Sequence, residues 1–308
     1  MIGGRRTALS LTVYLVIAFG LSWLIALPLW LSGQGLQHPL FGAIAVGMMA
    51  TPAIGALVAV FVVERGPNRA ERLGLWPLRP AGRFWMYLGL GLVVPVALVV
   101  AALVIGALLG TYPADFARFS GYRSLLAATG AASLPIPIGL LVAAQYLNIV
   151  VGAALNLIPA LGEELGWRGW LLPKLLPLGT VPALLISGAV WGLWHAPLIL
   201  LGYNYPTASG WLGVLLMMGM CVVMGGIFGW LRIRSRSVWP AALAHGALNA
   251  SVGLSAVYAR AGESVDTVQA TILGWSGWIA PAVVVIVLLI AGQFRWPTPA
   301  EQRRRRAF

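Results

Sequence analysis

The sequence predicts an all-α membrane protein with about eight transmembrane helices and both termini in the cytoplasm. Hydrophobic residues make up 60% of the 308 residues and charged residues only 9%, whereas about a quarter of the residues in soluble proteins are charged. The apolar residues also form runs that are long enough to cross a bilayer. Basic residues are concentrated in alternate connections between these runs, which is the distribution typical of cytoplasmic loops.

Eight apolar runs are the candidate spans, and they cover residues 8–31, 40–63, 84–109, 138–159, 181–201, 211–231, 238–257 and 272–291. The first run exceeds the roughly 7 to 15 apolar residues of a secretory signal, so we interpret it as a span. No linker, second folding unit or internal repeat is visible. Residues 1–308 are therefore predicted to form a single integral membrane domain.

The basic residues predict the orientation. They are concentrated at Arg5-Arg6, in residues 65–83 with five arginines, at Lys174, at Arg232 to Arg236, and in the tail Arg303 to Arg306. This alternation places both termini on the cytoplasmic side and requires an even number of spans. We therefore expect a multi-pass protein of the plasma membrane.

The net charge of +12 does not predict a nucleic-acid partner, because the basic residues flank apolar runs. Such segments face the anionic cytoplasmic leaflet of a membrane. The expected partner is thus the lipid bilayer. The single cysteine, Cys221, excludes an intrachain disulfide.

Two adjacent carboxylates, Glu163 and Glu164, lie at the end of the fourth span, just after its apolar run, whereas the other acidic residues lie in loops or tails. A carboxylate at bilayer depth costs about 2.5 to 3.5 kcal/mol, so it indicates a functional site. Arg168 follows Glu164 by four residues and shares its helical face, so these two are expected to pair. Glu163 lies about 140° around the helix from Arg168, and this spacing leaves it unpaired.

Two further motifs place polar groups within apolar runs. Trp191 and His195 lie four residues apart in the fifth run, and His245 and Asn249 lie four apart in the seventh. Each pair therefore shares a helical face. A carboxylate, an imidazole and an amide together can activate water and stabilise an oxyanion. A single intramembrane histidine or asparagine commonly forms a hydrogen bond between helices. The co-occurrence of all these polar groups, however, predicts a polar catalytic cavity between helices 4, 5 and 7.

These residues resemble the CPBP intramembrane proteases, also called the ABI or CAAX protease family, which includes the type II CAAX prenyl endopeptidases. The family pattern is EExxxR, FxxxH and HxxxN or HxxxD on successive helices of an eight-helix core. The corresponding segments here are Glu163-Glu164-Leu-Gly-Trp-Arg168, Trp191-Gly-Leu-Trp-His195 and His245-Gly-Ala-Leu-Asn249. Trp191 replaces the usual phenylalanine and keeps an aromatic face beside the histidine. The resemblance covers residues 137–257, the expected protease core.

The resemblance implies a role for each site residue. Glu163 would activate water together with His195, and the tetrahedral oxyanion would be held by His245 and Asn249. Glu164 and Arg168 would form a supporting pair, and Trp191 would support His195.

The sequence leaves open whether the site uses a metal ion. Glu163, His195 and His245 match a three-ligand zinc site with one open position, and family members are usually labelled metalloproteases. The same residues can also act on water without a metal.

The expected function is that of an intramembrane glutamate-dependent endopeptidase, with or without metal assistance. Its substrate would be a membrane-delivered or prenylated, CAAX-like peptide or protein, reached from the membrane or its cytoplasmic face. One alternative is a non-catalytic immunity or scaffold protein of the same fold. Another is a solute or proton-coupled transporter in which buried Glu and His relay protons, although no repeat of inverted halves is visible.

Overall fold

The computed structural model describes residues 2–76, 78–130 and 135–296, with side chains described from Arg6 onward. Within these ranges the regular structure is helical, apart from one isolated bridge between Ala114 and Ala259. The prediction of an all-α protein is therefore confirmed. The tail with Arg303 to Arg306, on which part of the orientation depended, lies outside the described residues.

Helices follow one another along the described chain, and two of them continue as π-helical segments. The α-helices are α1 Ile2–Leu31, α2 Phe41–Met49, α3 Thr51–Val58, α4 Arg69–Arg72, α5 Ala81–Leu108, α6 Ser120–Ala128, α7 Ile138–Glu164, α8 Leu172–Leu175, α9 Thr180–Trp194, α10 Ala196–Ile199, α11 Trp211–Ser235, α12 Trp239–Ser251, α13 Leu254–Val257 and α14 Ile279–Ile290. The π-helical segments Ala59–Glu64 and Leu165–Leu171 extend α3 and α7.

Five helical stretches in the described ranges are long and apolar enough to cross a membrane, namely Arg6–Leu31, Phe41–Glu64, Ala81–Leu108, Ile138–Leu178 and Trp211–Ser235. They correspond to predicted spans one to four and six. The other three correspond to α9, α12 and α14, which contain 15, 13 and 12 residues. A perpendicular span needs about 20 residues, so the count of eight and the cytoplasmic termini stay predictions.

The helices that carry the polar motifs pack closely because glycines lie at their contacts. A Cβ on Gly192 of α9 would collide with Met218 Cα of α11, and one on Gly246 of α12 would lie 2.7 Å from Ala153 O of α7. Small residues let membrane helices approach to backbone contact. His195 lies three residues after Gly192, and His245 directly precedes Gly246. The glycine contacts therefore bring both histidines to the side of α7 where the glutamates lie.

Candidate active site

The end of α7 buries two carboxylates and their cation together. Glu163 is 2% exposed, and Glu164 and Arg168 are completely buried. Arg168 Nη1 donates to Glu164 Oε1 over 2.8 Å. The pair that the four-residue spacing predicted is therefore formed, and Glu163 makes no hydrogen bond to this guanidinium within the described part of the chain.

Arg168 lies in a π-helical segment, Leu165–Leu171, all seven residues of which are buried. π-helical turns occur frequently at functional sites. Two glycines allow other backbone to reach this segment: a Cβ on Gly166 would lie 2.7 Å from Pro52 O, and one on Gly169 would lie 2.8 Å from Leu73 O. The segment is thereby enclosed by neighbouring chain, which keeps water away from the guanidinium.

His245 also binds Glu164. Its Nδ1 lies 2.9 Å from Glu164 Oε1, the same oxygen that accepts from Arg168. The residues are 81 positions apart in the sequence, so helical spacing carried no signal for this contact. The family resemblance implied that His245 holds the oxyanion or a metal, and it did not indicate this bond. The bond occupies Nδ1 and leaves Nε2 for other contacts.

Trp191 contacts four charged or polar side chains of the site. Its indole Nε1 donates to Glu163 Oε2 over 2.7 Å, and its ring lies under Arg168 with the guanidinium carbon 4.1 Å from the ring centroid. The same ring packs against His245 and His195 at centroid distances of 5.3 and 5.9 Å. The interpretation that Trp191 only preserves an aromatic face was incomplete, because a phenylalanine has no N–H to offer Glu163.

His195 lies directly after α9, at its C-terminal cap, and is oriented by the last turn of that helix. Its Nδ1 lies 2.9 Å from Trp191 O. A carbonyl oxygen only accepts, so the neutral ring in this contact carries its proton on Nδ1 and presents a lone pair on Nε2. The edge of the ring packs against Trp194 at 4.8 Å between centroids.

Asn249 lies one turn after His245 on α12 and is half-buried. No hydrogen bond engages its amide in the described part of the chain. Its side chain is therefore the donor at this site that no other protein group occupies.

Two site neighbours were missed by the sequence reasoning. Phe228 of α11 stacks on His245 at 5.8 Å and lies 5.3 Å from the Arg168 guanidinium carbon. Tyr14 of α1 is fully buried and packs on Trp167 and Trp170 at 5.7 and 4.7 Å. An aromatic residue in an apolar run carries no local signal for such a contact.

The candidate zinc ligands do not form a metal site in this arrangement. Glu163, His195 and His245 each bind a protein group through one atom and keep a second oxygen or ring nitrogen, as metal-ligating histidines also do. Across residues 2–76, 78–130 and 135–296, no three His, Cys, Asp or Glu side chains are grouped as metal ligands. Since a structural or catalytic zinc needs at least three converging protein ligands, we assign no step to a metal.

All the polar residues of the site fall within one stretch that is similar to known proteases. Residues 144–251 match the family of Rce1-like type II CAAX prenyl endopeptidases. The resemblance indicated by the three motifs is thereby confirmed. A stretch of 109 residues is also 32% identical to CAAX prenyl protease 2 of Methanococcus maripaludis, covering 33% of this chain and 40% of that protein.

The matched stretch thus spans less than half of the length of this relative. Together with the five long apolar helices, the match supports a protease embedded in a membrane by several passes.

Proposed function

We propose that this protein is an intramembrane glutamate-dependent endopeptidase of the plasma membrane. Its substrate is a prenylated, CAAX-like or otherwise membrane-delivered peptide or protein. The observation that carries this proposal is the position of Glu163, a buried carboxylate held by the Trp191 indole beside His195 and His245. A carboxylate kept in an apolar protein interior is expensive, and such sites are enriched in catalytic groups.

Hydrolysis of a peptide bond needs a base that takes a proton from water and an acid that gives it to the leaving amine. We assign both roles to Glu163. Glu163 takes a proton from a water molecule, with the Nε2 lone pair of His195 as the second acceptor that orients it. The oxygen of that water attacks the peptide carbonyl carbon, the C–N bond then breaks, and the proton passes from Glu163 to the leaving amine. Trp191 holds one carboxylate oxygen, Oε2, so the other oxygen, Oε1, is the one that faces the water.

The oxyanion of the tetrahedral intermediate would be stabilised from α12. His245 Nε2 donates only when the ring is an imidazolium, because its Nδ1–H already donates to Glu164. Glu164 is the anion beside that ring, which explains why the supporting carboxylate binds both Arg168 and His245. The Asn249 amide is a second donor and needs no change of charge to act.

Asn249→Ala is expected to lower kcat about a hundred- to a thousandfold with little change in KM, since the oxyanion exists only after attack. The assay is cleavage of a fluorogenic prenylated CAAX peptide by purified protein. Asn156→Ala is the matched control, because the Asn156 amide donates to Gly152 O of its own helix over 2.8 Å. If Asn249→Ala and His245→Ala both kept full cleavage, α12 would supply no oxyanion donor. A wild-type protein that cleaves no peptide would favour the non-catalytic scaffold alternative.

Trp191→Phe is expected to lower kcat about ten- to a hundredfold, because a hydrogen bond to a charged group contributes about 1.5 to 3 kcal/mol. The phenyl ring keeps the packing under Arg168. Trp194→Phe on the same helix is the control, since its indole donates to Ala18 O and Thr51 Oγ1 rather than to Glu163. Comparable kcat losses for the two variants would contradict a specific role for the Trp191–Glu163 bond.

A further inference from the structure

A second buried arginine, Arg232, lies in the last turn of α11, away from the candidate active site. It is 2% exposed, and its Nε and Nη1 are fully buried with no hydrogen-bond partner among the described residues. No carboxylate in those residues forms a salt bridge with it. It lies about 10 Å along α11 from Gly225, the position that approaches Arg168. Arg232 is thus a buried cation that the site does not use.

The surroundings of Arg232 pack against its guanidinium but supply no hydrogen-bond acceptor to Nε or Nη1 among the described residues. Gly74, at φ +75°, packs directly on it, and a Cβ there would lie 2.8 Å from both Cζ and Nε. The adjacent Gly74 O accepts from Val238 N rather than from Arg232. The Trp296 ring lies under the guanidinium, with its centroid 5.3 Å from Cζ. The protein therefore positions this cation without neutralising it.

The level of Arg232 in the bundle indicates which anion is available. Trp76 and Trp85, near Gly74 and in the first turns of α5, are 62% and 65% exposed. Exposed tryptophans of this kind mark the membrane–water interface, where lipid headgroups lie. Arg234 and Arg236 follow in the chain, and the distribution of basic residues predicts that this end faces the cytoplasmic leaflet. Basic pockets between helices on that side bind anionic lipid headgroups.

We propose that Arg232 is the anchor of a phosphate-binding site at this end of the bundle, and that it binds the phosphate group of an anionic phospholipid. Arginine forms strong charge-assisted hydrogen bonds with phosphate. This inference does not rest on the proposed protease activity. It also touches the active-site region, because the loop of Gly74 contacts the π-helical segment through Leu73 O and Gly169. A bound lipid therefore stabilises the loop that encloses Arg168.

The test is the unfolding temperature of the delipidated full chain in a neutral detergent. Short-chain phosphatidylglycerol, a diacylglycerol with the same acyl chains, and sodium phosphate at matched ionic strength are titrated separately. Phosphatidylglycerol should raise the unfolding temperature and diacylglycerol should not. Arg232→Gln should weaken the apparent affinity about ten- to a hundredfold. Arg234→Gln is the matched control, because it removes the same charge two positions away, where the side chain bonds the Tyr87 hydroxyl.

Equal responses of the wild type and Arg232→Gln to phosphatidylglycerol would overturn the proposal. A response to sodium phosphate that equals the lipid response and is lost in Arg232→Gln would retain the phosphate site and assign it to free phosphate. Glu301→Gln tests whether a carboxylate of the chain itself pairs with Arg232. If this variant destabilised the protein as much as Arg232→Gln, and if the lipid did not change the unfolding temperature of the wild type, the partner of Arg232 would be internal and the proposal would be wrong.

Arg232→Lys covers the case in which Arg232→Gln yields no folded protein. Lysine keeps the positive charge but lacks the forked N–H donors that match a phosphate. The lipid response should weaken in this variant, and an unchanged response would contradict the site.

Discussion

Glu163→Gln is expected to lower cleavage at least about a thousandfold, which is within the range contributed by a positioned general base. The amide has the shape of the carboxylate but cannot take a proton from water. The Trp191 indole can still donate to the amide oxygen, so the unfolding temperature should stay close to that of the wild type. Single-turnover rates with the prenylated peptide, measured beside thermal unfolding, check both parts of the expectation.

Glu263→Gln is the control for this experiment, because Glu263 lines a polar cavity far along the chain, in the loop after α13. The Glu263→Gln variant should cleave the peptide at the wild-type rate. A Glu163→Gln variant that cleaved within a few-fold of the wild type would remove Glu163 as the base and would favour a supporting role for both carboxylates. A variant that lost its fold would show instead that Glu163 is structural.

Arg168→Ala is expected to destabilise the protein by about 3 to 5 kcal/mol, the usual cost of leaving one member of a buried ion pair alone. Glu164 loses a donor at 2.8 Å, and the Trp191 and Phe228 rings lose the guanidinium packed against them. Expression level and unfolding temperature should both fall, and cleavage should fall with them. Activity alone does not distinguish this variant from Glu163→Gln, whereas stability does.

Arg72→Ala is the matched arginine control. Arg72 pairs with Glu64, but its side chain is 29% exposed and Glu64 keeps Lys174 at 2.8 Å as a second partner. Partly exposed pairs contribute about 0 to 1 kcal/mol, so this change should have a small effect. Equal destabilisation by Arg168→Ala and Glu163→Gln would contradict the division into a supporting pair and a base.

The double variant Glu164→Gln with Arg168→Ala adds a further check. Removing both charges removes the cost of an unpaired buried ion, so the double variant should lose less stability than the two single variants combined. Additive losses would indicate that the two side chains do not depend on each other. Some loss will remain in the double variant, because His245 also relies on Glu164.

The sequence by itself determined the features that depend on local spacing. Residues four apart share one helical face, so the pairing of Glu164 with Arg168 could be predicted before any packing was known. The low charged fraction and the apolar runs likewise predicted long membrane-crossing helices. The order and spacing of the three motifs identified the family that residues 144–251 match.

Only the tertiary structure decided which helical faces meet. The Glu164–His245 contact and the Trp191–Glu163 bond join residues 81 and 28 positions apart, and both depend on how α9, α11 and α12 rotate and approach α7 through their glycine contacts. The same packing bound one atom of each candidate zinc ligand to a protein group and left Asn249 without one. Periodicity states which residues share a face, but the direction of that face is a property of the packed bundle.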